Sequence, residues 1–425
     1  MEFCLRPQLQ RLARVLGTRT KKQRRVVGSY TTAPSIQRLR PMLEMETFAV
    51  IASMYYDSNC GEVELTPQIY LQRLALNVMT MFCYGTRFNS VDDPTLLQIL
   101  TDAKTIASFR STNSNAQDFI PHLRYTTNNK RNQTAREVRS RRDQWLATML
   151  EGARESAGQQ TAAKQTVATM LLSDNNEGLT ELDIRTILGG LMSGGFETVY
   201  STAIIALGVL SRSKGQQMQQ QAYEEITNVY ESEEKAFDKC LSEEKCHYVV
   251  ALVKEALRFY PPLKILPARQ TYKEFVYQGA IIPKGVLIYT NCQAILQHKS
   301  VYGSDADKFR PERWLEKDCQ VPPPYHFAFG AGVRMCTAVN FSNRMLYATF
   351  CRLIVSFKIT ESKTMPANID YIDYKQDPTD SNAIASKFKI RLSARNQAAL
   401  ENCFERSQEI AAAATNGLPY EALKR

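Results

Sequence analysis

The sequence predicts a mainly α-helical protein with small antiparallel β-sheets, and three observations lead there. Apolar residues recur at helical spacing along much of the chain, as at Leu71, Leu74, Val78 and Met81. From Thr186 to Ser211 the only charged residue is Glu197, which is the composition of a helix buried on nearly every side. The period changes only around residues 263–292, where Val, Ile, Tyr and Thr gather about Gly279 and Pro283-Lys-Gly285, a pattern of short antiparallel strands. With 425 residues, 44% hydrophobic and 23% charged, the chain can bury a large core. We see no repeat or linker and expect one domain over 1–425, with an atypical basic start over 1–19 and a polar tail over 396–425.

Taken in order, Leu5, Leu9, Leu12 and Leu16 predict a short amphipathic helix. The net charge of +10 is local: the first forty residues hold ten Lys or Arg against Glu2 alone. Such a face suits nucleic acid, an acidic partner protein, a membrane surface or plain solvation. No aromatic residues interleave to support RNA binding, so no nucleic-acid partner is expected. No apolar run near the start is long enough for a signal peptide or a membrane anchor. Helices follow over Pro41 to Tyr56 and Pro67 to Tyr84. Between Ser108 and Lys164 we expect a long polar loop, then an exposed charged helix from about Arg131 to Arg154.

Thr180 and Asp183 have the form of a capping box and open the central helix. A membrane-spanning reading of that helix is rejected. A lone carboxylate in mid-span is expensive in lipid, and the pairs Gly189-Gly190 and Gly194-Gly195 suit close backbone approach inside a protein. Lys214 to Glu243 should make two exposed helices. Tyr248 to Tyr260 returns to apolar helical periodicity until Pro261-Pro262 stops it. After the strands come a buried helix over Asn340 to Phe357 and a strand near Ala385 to Leu392.

Ten cysteines without a CxxC pair, and four histidines, do not fit zinc ribbons or fingers, and the length does not fit a disulfide scaffold. One cysteine stands out. In Phe329-Gly-Ala-Gly-Val-Arg-Met-Cys-Thr-Ala338, Cys336 ends a loop in which Gly330 and Gly332 can take positive φ and approach a flat ligand closely, with Arg334 two residues before the sulfur. A thiolate there could ligate a metal, with backbone N–H groups of a helix starting near Thr337 to steady its charge; as one of ten cysteines it could equally pack as a small hydrophobe. Glu255 and Arg258 lie three apart on one helix face, where an ion pair forms readily, and Phe309-Arg-Pro-Glu-Arg-Trp314 follows some fifty residues later.

The spacing Phe-Gly-x-Gly-x-Arg-x-Cys-x-Ala resembles the haem-binding signature of the cytochrome P450 superfamily. The order ExxR, FxPERW, cysteine loop is similar to that of haem-thiolate monooxygenases. The resemblance runs from about Thr20 to Arg395 and implies the cytochrome P450 fold. It implies haem b as cofactor, Cys336 as axial iron ligand, and Arg334 on a haem propionate. It implies further that Glu255 and Arg258 bond Arg313 in a buried structural triad. Gly194-Gly-Phe-Glu-Thr198 resembles the family's oxygen-activation motif, so Glu197 and Thr198 are the catalytic candidates, a carboxylate and a hydroxyl able to pass protons in a dry pocket. Arg269, in Leu266-Pro-Ala-Arg-Gln-Thr271, resembles a propionate-pairing strand arginine. Arg24 resembles the arginine of Trp-x-x-x-Arg, although Thr20 stands in place of the tryptophan. Thr337 replaces the usual apolar residue after the cysteine.

Finer matches resemble fungal hydroxylases of phenylacetate and related phenolic compounds: Tyr70-Leu-Gln-Arg-Leu-Ala-Leu-Asn77, Asn343-Arg-Met-Leu-Tyr347 and Asp377-Pro-Thr379. The resemblance therefore implies insertion of one oxygen atom from dioxygen into a small aromatic substrate, possible roles in aromatic catabolism or secondary metabolism, and electrons from NADPH-cytochrome P450 reductase, a flavoprotein. It also implies a place at the endoplasmic reticulum membrane surface, otherwise the cytoplasm. Family members carry an anchor helix, a first sheet and a roofing loop ahead of the segment that Thr20 to Arg25 resembles, and most of that leading part is expected to be missing here. The rival readings are a non-catalytic haem binder and a haem-thiolate isomerase or dehydratase; Thr198 weighs against the latter.

Overall fold

The computed structural model describes residues 18–32, 37, 39–110, 120, 122, 129–157, 166–173, 179–316, 327–377 and 380–415. The first helices are α1 (Thr18–Tyr30), α2 (Arg40–Asp57), α3 (Gln68–Tyr84), α4 (Pro94–Arg110), α5 (Asn129–Ala157) and α6 (Val167–Leu172). The central α7 (Glu181–Ser211) leads to α8 (Ser213–Tyr230), α9 (Glu233–Lys239) and α10 (His247–Phe259). Short strands β1 (Arg269–Gln270), β2 (Phe275–Tyr277), β3 (Ala280–Ile282) and β4 (Leu287–Ile288) precede α11 (Cys292–Leu296) and α12 (Lys299–Tyr302). Then come α13 (Val339–Ser356), β5 (Phe357–Glu361), β6 (Ile390–Ala394) and α14 (Gln397–Thr415). The predicted helical fold with small antiparallel sheets is the one observed. The leucine-spaced stretch Leu5 to Leu16 lies outside the described residues.

α7 is the axis of the molecule. Thr180 accepts from the Asp183 N–H and Asp183 bonds back to the Thr180 N–H, the predicted capping box. Its length and composition would also cross a membrane, but 78% of its most apolar window is buried in the protein. Gly195 explains one glycine pair, because a Cβ there would meet Met79 Sδ of α3 at 2.3 Å. At Gly190 and Gly194 a Cβ would meet nothing within 4 Å, so close approach does not account for them. One apolar core runs from Met42 and Phe48 of α2 through α3, α7 and α10 to Phe350 of α13 and Phe404 of α14.

Three expectations need correction. Residues 397–415 are a helix where a polar tail was expected: Phe404 lies edge-on to Phe48 and Tyr55, and Leu400 and Cys403 are buried with it. A buried stripe that narrow is hidden by the polar residues between. The helix α8 is not simply exposed, since Gln219, Ala222, Ile226 and Tyr230 are buried along one face, where Gln219 ties Leu210 to Ile359 of β5. The helix after the cysteine starts at Val339 rather than near Thr337, with Ala338 as its cap.

The strands form three two-stranded antiparallel sheets: β1 with β4, β2 with β3, and β5 with β6. The last alternates buried and exposed side chains. The β2–β3 ribbon instead exposes Phe275, Val276, Tyr277 and Ile281.

Candidate active site

Glu255 and Arg258 occupy one face of α10 and are both fully buried. Arg258 donates to both oxygens of Glu255, at 2.8 and 2.7 Å. Its remaining donors reach the carbonyls of Leu296, Ala306 and Lys308, so it pins the segment that follows α12 onto α10. Arg313, in the 3-10 turn Pro311–Trp314, donates to Glu255 Oε1 at 3.1 Å. The same carboxylate also accepts from the Arg310 N–H at 2.8 Å and the Trp314 indole at 2.9 Å. The structure thus brings the three sequence-predicted residues together and adds partners.

The added partners were not foreseen. Asp305 bonds Arg313 and Arg310, and their guanidinium groups hold its carboxyl below the usual range despite its burial. It lies eight residues from Arg313 on an irregular loop, where no periodicity marks a partner. Trp314 was legible as part of the motif, but its role as a donor was not. A buried charge pair stands only when its remaining donors and acceptors are satisfied, and this one is.

The Cys336 loop is built differently. Cys336 donates its N–H to the Phe329 carbonyl at 2.9 Å, and its sulfur accepts the Ala338 N–H at 3.4 Å. Gly330 and Gly332 have φ of +74° and +63°, and a Cβ at either would meet nothing within 4 Å. Their backbone therefore leaves open space in front of the loop. Cys336 is exposed, yet the surrounding protein pushes its thiol upward; the Ala338 N–H and Arg24 pull it back.

Arg24 of α1 donates to the Met335 carbonyl at 2.8 Å, next to the sulfur. Arg334 is held below its ordinary pKa by burial and by the charges of Arg24 and Arg269. Arg269, bonded to the carbonyls of Pro267 and Ala268, is depressed likewise by burial and Arg24. Elements distant in sequence thus bring the charge of Arg24 to bear on Arg269 and Arg334, in addition to burial. Such an arrangement is what an anionic ligand relieves.

The donor set fits a haem: a soft sulfur ligand on a loop with open space before it, and cations placed for carboxylates. Among the described residues no group of three His, Cys, Asp or Glu could hold another metal ion.

On α7 the two residues of the predicted pair have different hydrogen-bond partners. The Thr198 hydroxyl donates to the Gly194 carbonyl at 2.7 Å. The Glu197 carboxylate is buried and accepts from the amide of Asn382, a residue the sequence did not point to. Consecutive residues on a helix point about 100° apart, so neighbours in sequence reach different partners.

The family model described as Cytochrome P450 matches residues 6–373. This chain belongs to the cytochrome P450 family. It is 31% identical over 92% of its length to phenylacetate 2-hydroxylase of Emericella nidulans, covering 75% of that protein. It is 31% identical over 89% of its length to 3-hydroxyphenylacetate 6-hydroxylase of the same organism, covering 72% of it. Cytochrome P450 monooxygenase CYP3 of Mycosarcoma maydis is 26% identical over 88% of the chain, with 70% of that protein covered. The protein is accordingly a monooxygenase of a family that carries haem iron on a cysteine thiolate and draws electrons from a reductase. The readings as isomerase, dehydratase or bare haem binder are not favoured.

The fungal subgroup motifs have structural explanations. Arg73 bonds Ser53 and the Asn89 carbonyl, and Asn77 bonds Glu46 and both the N–H and carbonyl of Phe88. The Tyr70 to Asn77 motif is therefore a buried polar clamp between α2, α3 and the loop after α3. Tyr347 meets the Tyr230 hydroxyl at 2.8 Å. Pro378 and Thr379 lie outside the described residues.

Proposed function

We propose that this monooxygenase hydroxylates a small aromatic acid or phenol, with haem b held by the Cys336 thiolate and its propionates met by Arg24, Arg269 and Arg334. The observation that carries the reading is the exposed Cys336 on its glycine loop, with Arg24 bonded to the neighbouring Met335 carbonyl and with Arg24 and Arg269 both acting on Arg334. The likeness to the two Emericella nidulans hydroxylases supports the substrate class. Bound there, haem supplies the redox chemistry that activates dioxygen for insertion of one oxygen atom into substrate.

The chain's own residues do the rest. Phe329, Gly330 and Gly332 shape the loop so that the sulfur is presented, and the Ala338 N–H steadies its charge. Glu255, Arg258 and Arg313 hold the segment before that loop. Thr198 is the α7 hydroxyl assigned to pass a proton, with Glu197 as the carboxylate that supplies it. Electrons come from NADPH-cytochrome P450 reductase, docked on the basic face, at the endoplasmic reticulum membrane surface.

The test is the spectrum of the reduced protein under carbon monoxide. We expect the red-shifted Soret band of thiolate-ligated haem, lost in Cys336→Ser. An imidazole-type spectrum in the unaltered protein would overturn the ligand assignment in favour of His122, His247, His298 or His326.

A further inference from the structure

We infer that Asn382 is a positioning residue for proton delivery in this enzyme, acting by holding the carboxylate of Glu197. The inference rests on the reading of Glu197 and Thr198 given above and adds to it a residue from a distant segment.

The contact is buried on both sides. Glu197 is 6% exposed and Asn382 is 4% exposed, and the Asn382 Nδ2 donates to Glu197 Oε2. A buried carboxylate depends on its donors, because water is not there to replace one that is lost.

Asn382 is also held firmly from behind. The Gln376 N–H donates to the Ile384 carbonyl at 2.8 Å, and the Ser386 N–H to the Tyr374 carbonyl at 2.8 Å, which pairs residues 374–376 with 384–386. The Ala383 N–H donates to the Pro262 carbonyl at 2.8 Å, fastening that segment to the turn after α10. Lys375 donates to the Asp380 carbonyl at 2.8 Å. The segment leans on α7 again one helical stretch away, where Ala367 and Phe388 come within 3.1 and 3.4 Å of where a Gly208 Cβ would stand. An amide on so constrained a backbone is a fixed donor.

The consequence follows from the two hydrogen bonds on α7. The Thr198 hydroxyl hydrogen is committed to the Gly194 carbonyl, so its oxygen is left to accept a hydrogen bond, and it passes a proton only by giving up its own as it gains another. Glu197 can act on Thr198 only by leaving or sharing its bond to Asn382. Asn382 is thus a determinant of how readily the carboxylate turns, and its bond ties that readiness to the paired segments 374–376 and 384–386 beside it.

The experiment combines stability with coupling. Asn382→Ala should lower the unfolding midpoint by about 1–2 °C, and this loss should vanish in a Glu197→Ala background, since the lost donor then has no buried charge to serve. In the haem-loaded enzyme with its reductase, the amount of reductant consumed per product formed should rise about tenfold in Asn382→Ala and in the isosteric Asn382→Asp. Asn382→Ser, which keeps a donor, should recover part of the loss. The inference is overturned if Asn382→Ala costs the same midpoint shift with and without Glu197. It is overturned equally if Thr198→Ala and Glu197→Gln uncouple the enzyme while Asn382→Ala and Asn382→Asp stay coupled. If Thr198→Ala and Glu197→Gln leave coupling unchanged, the underlying proton-delivery reading fails first and takes this inference with it.

Discussion

The Glu255 network and the Cys336 loop lie in the same half of the chain and both are rich in arginine, yet they are opposite in design. Around Glu255 each guanidinium has a carboxylate or a carbonyl within 3.1 Å, and the carboxylate is itself crowded with donors. Around Cys336 the charges of Arg24 and Arg269 add to burial in lowering Arg334, and Arg24 adds to burial in lowering Arg269. One region is complete within the polypeptide and serves as scaffold. The other gathers like charge beside an exposed thiol, an arrangement suited to an anionic ligand.

The contrast can be broken at its strongest point first. Removing a partner from a buried charge network leaves an uncompensated charge, so Arg313→Ala should lose about 3–5 kcal/mol of stability and yield little soluble protein. Thermal or urea unfolding of whatever is recovered checks this. Unfolding at the midpoint of the unaltered protein would reduce the network to an incidental contact.

The second test has the opposite sign. Arg269→Gln removes one of three mutually repelling cations, so the protein without haem should unfold no earlier than the unaltered chain. If Arg269 meets a propionate as proposed, haem transfer to apomyoglobin should quicken about tenfold, as expected for loss of a charge-assisted hydrogen bond. A stability loss without faster haem transfer would place Arg269 with the scaffold instead.

The smallest effect concerns the open space. At Gly332 a methyl group meets nothing within 4 Å, so only the positive φ opposes alanine. Gly332→Ala should cost about 1–2 kcal/mol of stability, read as a lower denaturation midpoint with unchanged slope. A larger loss would show that the loop is packed more tightly than its geometry indicates.

Much of this was legible along the chain because the deciding signals are local. Helices α2, α3, α7, α10 and α13 follow from periodicity, the capping box and Pro261-Pro262, and the cysteine loop and Glu255 with Arg258 are short-range patterns. Short-range patterns depend on covalent geometry and backbone φ, ψ preferences, which neighbouring residues carry with them. The docking of α14 through Phe404, the gathering of Arg24, Arg269 and Arg334, and the bond from Asn382 to Glu197 join residues far apart in the chain, Phe48 and Phe404 by 356 positions. No spacing rule spans such distances, since which loop lies against which helix depends on how the whole core closes. The types of residue needed for the chemistry were thus written in the sequence, whereas the partners of those residues, Asn382 for Glu197 and the Gly194 carbonyl for Thr198, were settled by packing around α7.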